Sequence, residues 1–346
     1  MKVTVFVEPG KVEVREMPKP VIEKPTDAII RIVRASVCGS DLWWYRGISK
    51  RESGAAVGHE GIGVIESVGA DVTAVKPGDF VIAPFTHGCG HCSACLAGFD
   101  ANCLNQEPGS NAGYQGEYLR FTNANWALVK IPGQPSDYSE DMLKSFVTLS
   151  DVMATGYHAA ASAEVKPGDT VVVMGDGAVG LSGVLAAKLR GAERIIAMSR
   201  HEDRQKLAIE FGATDIVPER GDEAVEKVMA LTNGAGADAV LECVGMEQSV
   251  DTALKVGRPG SVVGRVGVPQ KAEMNTNNLF WRNIGLRGGI ANVTTYDKEI
   301  LLQAVLDGKI NPGKVFTKQF DLDHVEEAYE AMDRREAIKS LLVISD

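Results

Sequence analysis

Four cysteines crowd one short stretch, GCGHCSACLAGFDANC: Cys89, Cys92, Cys95 and Cys103, spaced C-x2-C-x2-C-x7-C. Four thiolates in so short a lobe can close a tetrahedral shell around zinc. The spacing also suits an iron–sulfur cluster, because ferredoxins start C-x2-C-x2-C, but the Cys-Pro ending of that pattern is missing. A four-thiolate shell leaves no open position, so its expected role is structural. His91 lies inside the lobe and reads as a surface residue rather than a ligand. In a cytosolic chain of this size, clustered cysteines more often hold metal than form disulfides. Cys243, in ECVG, reads as a packed thiol.

The stretch VVVMGDGAVG carries G-x-G-x-x-G as Gly175, Gly177 and Gly180, with Val179 before the last glycine. Alone the pattern is weak, but here an apolar strand runs into it and an Ala/Leu-rich helix leaves it. The first glycine permits the tight turn, the second a close approach of backbone to pyrophosphate, the third close packing of helix on strand. The helix N-terminus then offers the phosphates its partial positive charge. An acid about 20 residues further on would bind the ribose hydroxyls of NAD. Met198, Ser199, Arg200 and His201 stand there instead, with Arg204 one helical turn later. Ser199 can donate to a 2′-phosphate and Arg200 can pair with it, so NADP(H) is favoured over NAD(H). Glu202 or Asp203 could neutralise part of that charge.

A third set is dispersed. Cys38 sits in CGSD, His59 and Glu60 in GHEGIGVIESVG, and Asp151 in LSDVMATGYH. Cysteine, histidine and carboxylate are a mixed set suited to zinc with an open coordination position. Spacing alone does not connect them.

The elements that must position these residues fall into two patterns. Up to about residue 130 the chain reads as short strands divided by turns, beginning with a strand, a Pro-Gly turn and a strand in MKVTVFVEPGKVEV. A helical segment follows around residues 141–163. From there, helices alternate with apolar strands, which argues for a parallel sheet covered on both faces. The length, 346 residues, exceeds what one core usually serves. The expected fold is α/β: a mostly β region and then, from a boundary near residue 153 where the element pattern changes, a doubly wound parallel sheet. The composition, 45% hydrophobic and 24% charged, is that of a globular α/β protein rather than a disordered or fibrous one. A net charge of -10 provides no overall attraction to nucleic acid or anionic membranes. No apolar run approaches the roughly 20 residues of a membrane span, and the start lacks the features of a signal peptide. A cytoplasmic protein is expected.

CGSD, GHEGIGVIESVG, the cysteine lobe, SDVMATGYH and the glycine turn occur in the order seen in the zinc-containing medium-chain alcohol dehydrogenases, and the resemblance spans essentially the whole chain. It implies that residues 1–153 with 291–346 form the mostly β, GroES-like catalytic domain and that 154–290 form the Rossmann dinucleotide-binding domain, with the active cleft between domains. It implies that Cys38, His59 and Asp151 are the catalytic zinc ligands, with Glu60 able to approach the metal transiently and Asp41 holding the imidazole of His59. A second, structural zinc would occupy the lobe. Zinc would act as a Lewis acid on the oxygen of a primary or secondary alcohol, or of its aldehyde or ketone, while hydride passes to or from NADP(H). Ser40 matches the hydroxyl that starts the family's proton relay. The histidine that often continues it is replaced by Trp43, so the proton would leave through the cofactor ribose and water, or through His158 or Tyr45. Trp43, Trp44, Tyr45, Phe85 and Trp281 are candidates for an apolar pocket, of which one or two are expected to line it. Lys339 falls where relatives carry a basic residue toward the pyrophosphate.

Within the same family, polyol, threonine and formaldehyde dehydrogenases share these metal motifs, although Trp43 and Trp44 weigh against a polyol pocket. A non-catalytic sensor of NADP and zinc, and a zinc-free quinone reductase, are the alternatives from other classes; the intact ligand set disfavours both. The expected partners are a small alcohol or carbonyl compound and further copies of the chain, as a dimer or homotetramer, with GLRGGIANV pairing across a dimer axis.

Overall fold

Pro9-Gly10 interrupts an alternating apolar segment at the amino terminus, and the halves fold back as a hairpin of β1 (Lys2–Glu8) and β2 (Lys11–Glu16). Gly10 takes the turn with φ +81°, a backbone region that side chains disfavour. This computed structural model describes residues 1–107, 109, 112–269, 274, 276–291 and 295–346. Two compact units form: Met1–Asp151 with Asn292–Asp346, and Val152–Ala291.

The first unit is built on a seven-stranded sheet of β3 (Ala28–Ser36), β4 (Gly61–Val68), β5 (Phe80–Ala83), β6 (Tyr118–Phe121), β7 (Val129–Ile131), β14 (Phe316–Asp321) and β15 (Lys339–Val343). The order is β14-β15-β3-β4-β5-β7, with β6 also on β3. All pairs are antiparallel except β14 with β15. β3, AIIRIVRAS, is apolar almost throughout, as a strand with neighbours on every side must be, and eight of its nine residues are buried. Its side chains join Phe6, Trp44, Tyr114, Phe121 and Tyr329 in one core. The tail returns to this unit because β15 hydrogen-bonds to β3, with Leu341 opposite Ser36 and Leu342 opposite Ala35.

The second unit carries a six-stranded sheet of β8 (Thr170–Met174), β9 (Arg194–Met198), β10 (Asp215–Ile216), β11 (Ala237–Glu242), β12 (Gly257–Arg265) and β13 (Gly285–Gly288). Every pair is parallel and the order is β10-β9-β8-β11-β12-β13. Counted within the unit this is the doubly wound order 3-2-1-4-5-6 of dinucleotide folds, with its switch point between β8 and β11. The run TVVVM lacks polar alternation because both faces of β8 are covered, and four of its five residues are buried. Met174 pairs with both Met198 and Glu242, and Glu242 with Arg265, so the carboxyl ends of four strands finish level. The sheet ends at β13, part of GLRGGIANV; Asn292 and Val293 of that segment lie outside the described residues. Among the described residues, no helix is long and apolar enough to cross a membrane.

Candidate metal centres and dinucleotide turn

The four cysteines of the lobe converge, their sulfurs all within 4.8 Å of one another. The lobe is mostly turn, with a short helix at Ser93–Leu96 and a 3-10 turn at Asp100–Asn102. Backbone amides point at the sulfurs: Cys89 and Asn105 donate to Cys103 Sγ, both at 3.3 Å, and Leu104 donates to Cys92 Sγ at 3.5 Å. The backbone N–H groups of Cys95 and Leu104 draw the Cys92 thiol down to about 6, whereas burial pushes Cys95 up to about 12. Such a cluster of uncrosslinked sulfurs under N–H donors fits a thiophilic cation, which would hold all four as thiolates. His91 is exposed and turns Nδ1 to the Cys89 carbonyl at 2.9 Å, away from the cluster.

Cys38, His59, Glu60 and Asp151 form the second convergence, again with ligand atoms within 4.8 Å. Cys38 follows β3, His59 and Glu60 lead into β4, and Asp151 sits where the helix Glu140–Thr148 has ended. The antiparallel pairing of Ala35 with Gly61 explains the first half of this meeting, since it brings the end of β3 beside the start of β4. Asp151 Oδ2 lies 3.3 Å from Cys38 Sγ and 3.4 Å from His59 Nε2. On the far side of the ring, Asp41 Oδ1 is 3.6 Å from His59 Nδ1, while its other oxygen accepts the Cys38 N–H at 3.1 Å. Asp41 therefore combines the turn-capping and imidazole-facing positions.

This centre is short of positive charge. It gathers the carboxyl groups of Asp41, Glu60 and Asp151 around one thiol, against His59 and Lys339. Burial, then the charge of Asp151, raise Glu60 to about 7 against the pull of Lys339. Burial, with Asp151 and Glu60, pushes the Cys38 thiol up to about 11. For His59, burial disfavours the charged ring, but Asp41 and Cys38 outweigh it and hold the pKa well above the usual value. Glu60 Oε1 is buried without a hydrogen-bond partner, an arrangement that is costly unless a cation or polar ligand completes it. The sulfur, nitrogen and oxygen donors suit zinc, which would take the place of the protons on Cys38 and His59.

Lys339 is held inside the first unit. Its ammonium, with the residue 1% exposed, donates to Glu60 Oε2 at 2.6 Å and to the Val37 carbonyl at 3.0 Å. The Ser36 hydroxyl donates to the same Glu60 oxygen. Lys339 is thus a buried partner of Glu60 rather than a surface lysine. The charge shortage around Glu60 is the physical reason.

Ser40 takes the N-cap position of the helix Asp41–Tyr45, and its hydroxyl makes no capping bond there. Of the aromatic candidates, Phe85 meets the His59 ring edge-on at 6.0 Å and Trp43 is half-buried. Trp44 and Tyr45 belong to the core instead, packed edge-on or tilted against Phe6 and Tyr329. Burial lifts the Tyr45 phenol to about 12, which makes it a poor proton carrier. Trp281 lies in the other unit, 78% exposed, with Phe280 beside it. His158 is on the helix Val152–Ser162 of that unit.

In the second unit, β8 runs into Gly175 and the helix Ala178–Leu189 leaves from Gly177. Gly175 has φ +106°, and a Cβ at Gly180 would lie 2.1 Å from the Gly175 carbonyl. A Cβ at Gly177 would meet nothing within 4 Å. Gly175 and Gly180 are thus required by the turn itself, whereas Gly177 leaves space above a helix end with no side-chain cap. That opening fits a pyrophosphate. Val179 is half-buried in the first turn of the helix.

Ser199, Arg200 and Arg204 come together at the tip of β9, around a residue that sequence reasoning missed. Asp176, inside the glycine motif, accepts the Ser199 hydroxyl at 2.9 Å and the Arg200 N–H at 3.2 Å, with Arg204 Nη1 at 3.4 Å. Glu202 and Asp203, which could neutralise part of this charge, are exposed. The cause is tertiary: parallel pairing of Met174 with Met198 sets the turn after β8 beside the tip of β9.

Comparison with known proteins agrees with this geometry. Residues 24–133 match the alcohol dehydrogenase GroES-like domain, and residues 178–305 the zinc-binding dehydrogenase family. The chain is 31% identical to a zinc-type alcohol dehydrogenase-like protein of Bacillus subtilis, over 97% of each chain. It belongs to the zinc-containing alcohol dehydrogenases. Two further similarities bracket the family. The NADP-dependent isopropanol dehydrogenase of Thermoanaerobacter brockii is 31% identical over the whole of both chains. The alcohol dehydrogenase of Thermus sp. ATN1 superposes with a TM-score of 0.89 at 32% identity, covering 99% of each chain. As a member of this medium-chain dehydrogenase family, the chain is an oxidoreductase with a GroES-like and a Rossmann domain.

Proposed function

We propose that the chain transfers hydride reversibly between a primary or secondary alcohol, or its aldehyde or ketone, and NADP(H). The observation that carries this reading is the convergence of Cys38, His59 and Asp151 within one ligand shell, beside the unpartnered Glu60 oxygen. When bound, zinc supplies Lewis acidity at the substrate oxygen and the nicotinamide carries the hydride.

Cys38, His59 and Asp151 would hold that zinc, and Glu60 can reach it when a ligand exchanges. Asp41 orients His59 from behind, as metal-bound imidazoles require. Ser40, with no capping bond, is available to take the alcohol proton. Its onward route is not through Tyr45, whose phenol is held high; the Trp43 indole donates but cannot accept a proton, so ribose and water or His158 remain. Cys89, Cys92, Cys95 and Cys103 would close a structural zinc site. Gly175, Gly177, Val179 and Gly180 would form the pyrophosphate turn, and Ser199, Arg200 and Arg204 the 2′-phosphate site. The similarity to the NADP-dependent isopropanol dehydrogenase of T. brockii supports NADP(H). Six free cysteines favour a reducing, cytoplasmic setting. The exposed Phe280–Trp281 pair, near the β13 edge in sequence, favours a homo-oligomer, dimer or tetramer.

The test is the initial rate of ketone and aldehyde reduction with NADPH and with NADH, on protein of measured zinc content. Reduction by protein holding about two zinc ions per chain, lost on chelation and faster with NADPH, is expected. Equal or better rates with NADH overturn the cofactor assignment alone. No rate with either cofactor across a broad carbonyl panel, in zinc-replete protein, overturns the catalytic reading and favours the sensor.

A further inference from the structure

We propose that Asp176 is a built-in anion at the adenosine 2′-site, and that its carboxylate sets the balance between NADP(H) and NAD(H). The proposal rests on the reading that the glycine turn binds a dinucleotide.

Two of the donors assigned to a 2′-phosphate, the Ser199 hydroxyl and the Arg204 guanidinium, already have an occupant. Asp176 Oδ2 takes the Ser199 hydroxyl at 2.9 Å and the Arg200 backbone N–H at 3.2 Å. Arg204 Nη1 stands 3.4 Å from Oδ1 and 3.4 Å from the Asp176 carbonyl. Both side chains of this ion pair are only 13% exposed, so solvent screens them less than a surface pair. Burial works to raise the Asp176 carboxyl, but Ser199, Arg204 and the Arg200 amide hold it below the usual range, with His201 adding to the pull. Arg220 completes the surroundings: burial and the adjacent Arg200 lower its guanidinium, while Asp176 counteracts them.

Two consequences follow from this arrangement. The Arg204 guanidinium faces the carboxylate, and Arg220 feels the charge of both Arg200 and Asp176, so three arginines against one carboxylate leave an excess of positive charge that a phosphate dianion can use. The carboxylate nevertheless sits on the hydroxyl and amide a phosphate would need, and like charges repel. For a cofactor with a free 2′-hydroxyl the sign reverses. A carboxylate accepts a ribose O–H, the service usually given by an acid at the tip of the second strand. Here the first turn supplies the acid that the second strand lacks. Asp176 is therefore a specificity-determining residue: it attenuates selection for the phosphate that Arg200, Arg204 and Arg220 favour.

The experiment measures binding, not turnover. Zinc-replete full-length enzyme is titrated calorimetrically with adenosine 2′,5′-bisphosphate and with ADP, as wild type, Asp176→Asn and Asp176→Glu. In Asp176→Asn, the ratio of the two dissociation constants should move toward the 2′-phosphate by about tenfold or more, equivalent to about 1.4 kcal/mol. Asp176→Glu keeps the charge and should leave the ratio at the wild-type value or move it toward ADP. A ratio that stays within about twofold in Asp176→Asn overturns the proposal, as does a shift of Asp176→Glu toward the 2′-phosphate. Should Asp176→Asn not fold, the Asp176→Glu arm decides. Wild type that binds neither nucleotide overturns the dinucleotide reading and the proposal with it; wild type that binds ADP more tightly overturns only the NADP assignment.

Discussion

Replacing Lys339 with Met separates two roles for this residue. If its place is at the pyrophosphate, the variant loses dinucleotide affinity and keeps its stability. The structure points the other way. The Lys339–Glu60 pair is 2.6 Å apart with both side chains 1% exposed, so removing the ammonium strands a buried carboxylate among Asp41, Asp151 and Cys38. Breaking one partner of such a pair costs about 3–5 kcal/mol. Most of that cost is the uncompensated charge rather than lost packing, because Met fills a similar volume. The double variant Lys339→Met/Glu60→Gln should therefore recover a large part of the loss, a coupling of about 1–3 kcal/mol in the double-mutant cycle. The assay is urea denaturation of zinc-loaded wild type, both single variants and the double variant, beside calorimetric titration with ADP. A Lys339→Met variant destabilised by less than about 1 kcal/mol, with ADP affinity down tenfold or more, would refute the reasoning and restore the pyrophosphate role.

Four further outcomes are expected. Cys38→Ala should hold about one zinc ion per chain instead of about two, by elemental analysis, and lose turnover while retaining its fold. Cys95→Ala should lose the other ion and unfold at lower temperature by calorimetry, because metal affinity in a structural site is folding free energy; equal thermal stability would argue against a structural lobe. His87 is buried, stacked on Phe121 with Thr122 and Tyr114 at its ring nitrogens, and burial holds it down at about 3 against an ordinary 6.5. The unfolded chain binds this proton first, so stability is full above pH 6.5 and falls toward pH 3, by up to about 1.4 kcal/mol per unit; His87→Gln should flatten that part of a stability–pH profile. Phe280→Ser/Trp281→Ser should shift sedimentation velocity toward a smaller species, and an unchanged coefficient would remove this patch from the subunit interface.

Much of this molecule can be read from local order in the chain. The two glycines that the turn requires, the apolar TVVVM strand that feeds it and the cysteine spacing are local features. Their physical causes, a tight turn, burial on both faces and the reach of a four-ligand shell, act over a few residues. The tertiary structure alone decided which distant groups share a centre. Cys38, His59 and Asp151 meet because β3 pairs with β4 and a helix ends beside them, and no spacing encodes that meeting. Lys339 was legible as a basic residue near the carboxyl terminus, but its partner depends on β15 adding to β3 and burying it against Glu60. Trp44 and Tyr45 carry the same aromatic signal as Phe85, yet pack into the core, because the short helix that bears them turns them toward Phe6 and Tyr329. Asp176 is the sharpest case. In sequence it is one variable position of a glycine motif; in space, parallel register sets it on Ser199 and Arg200, because strands that pair side by side juxtapose their ends however many residues lie between them.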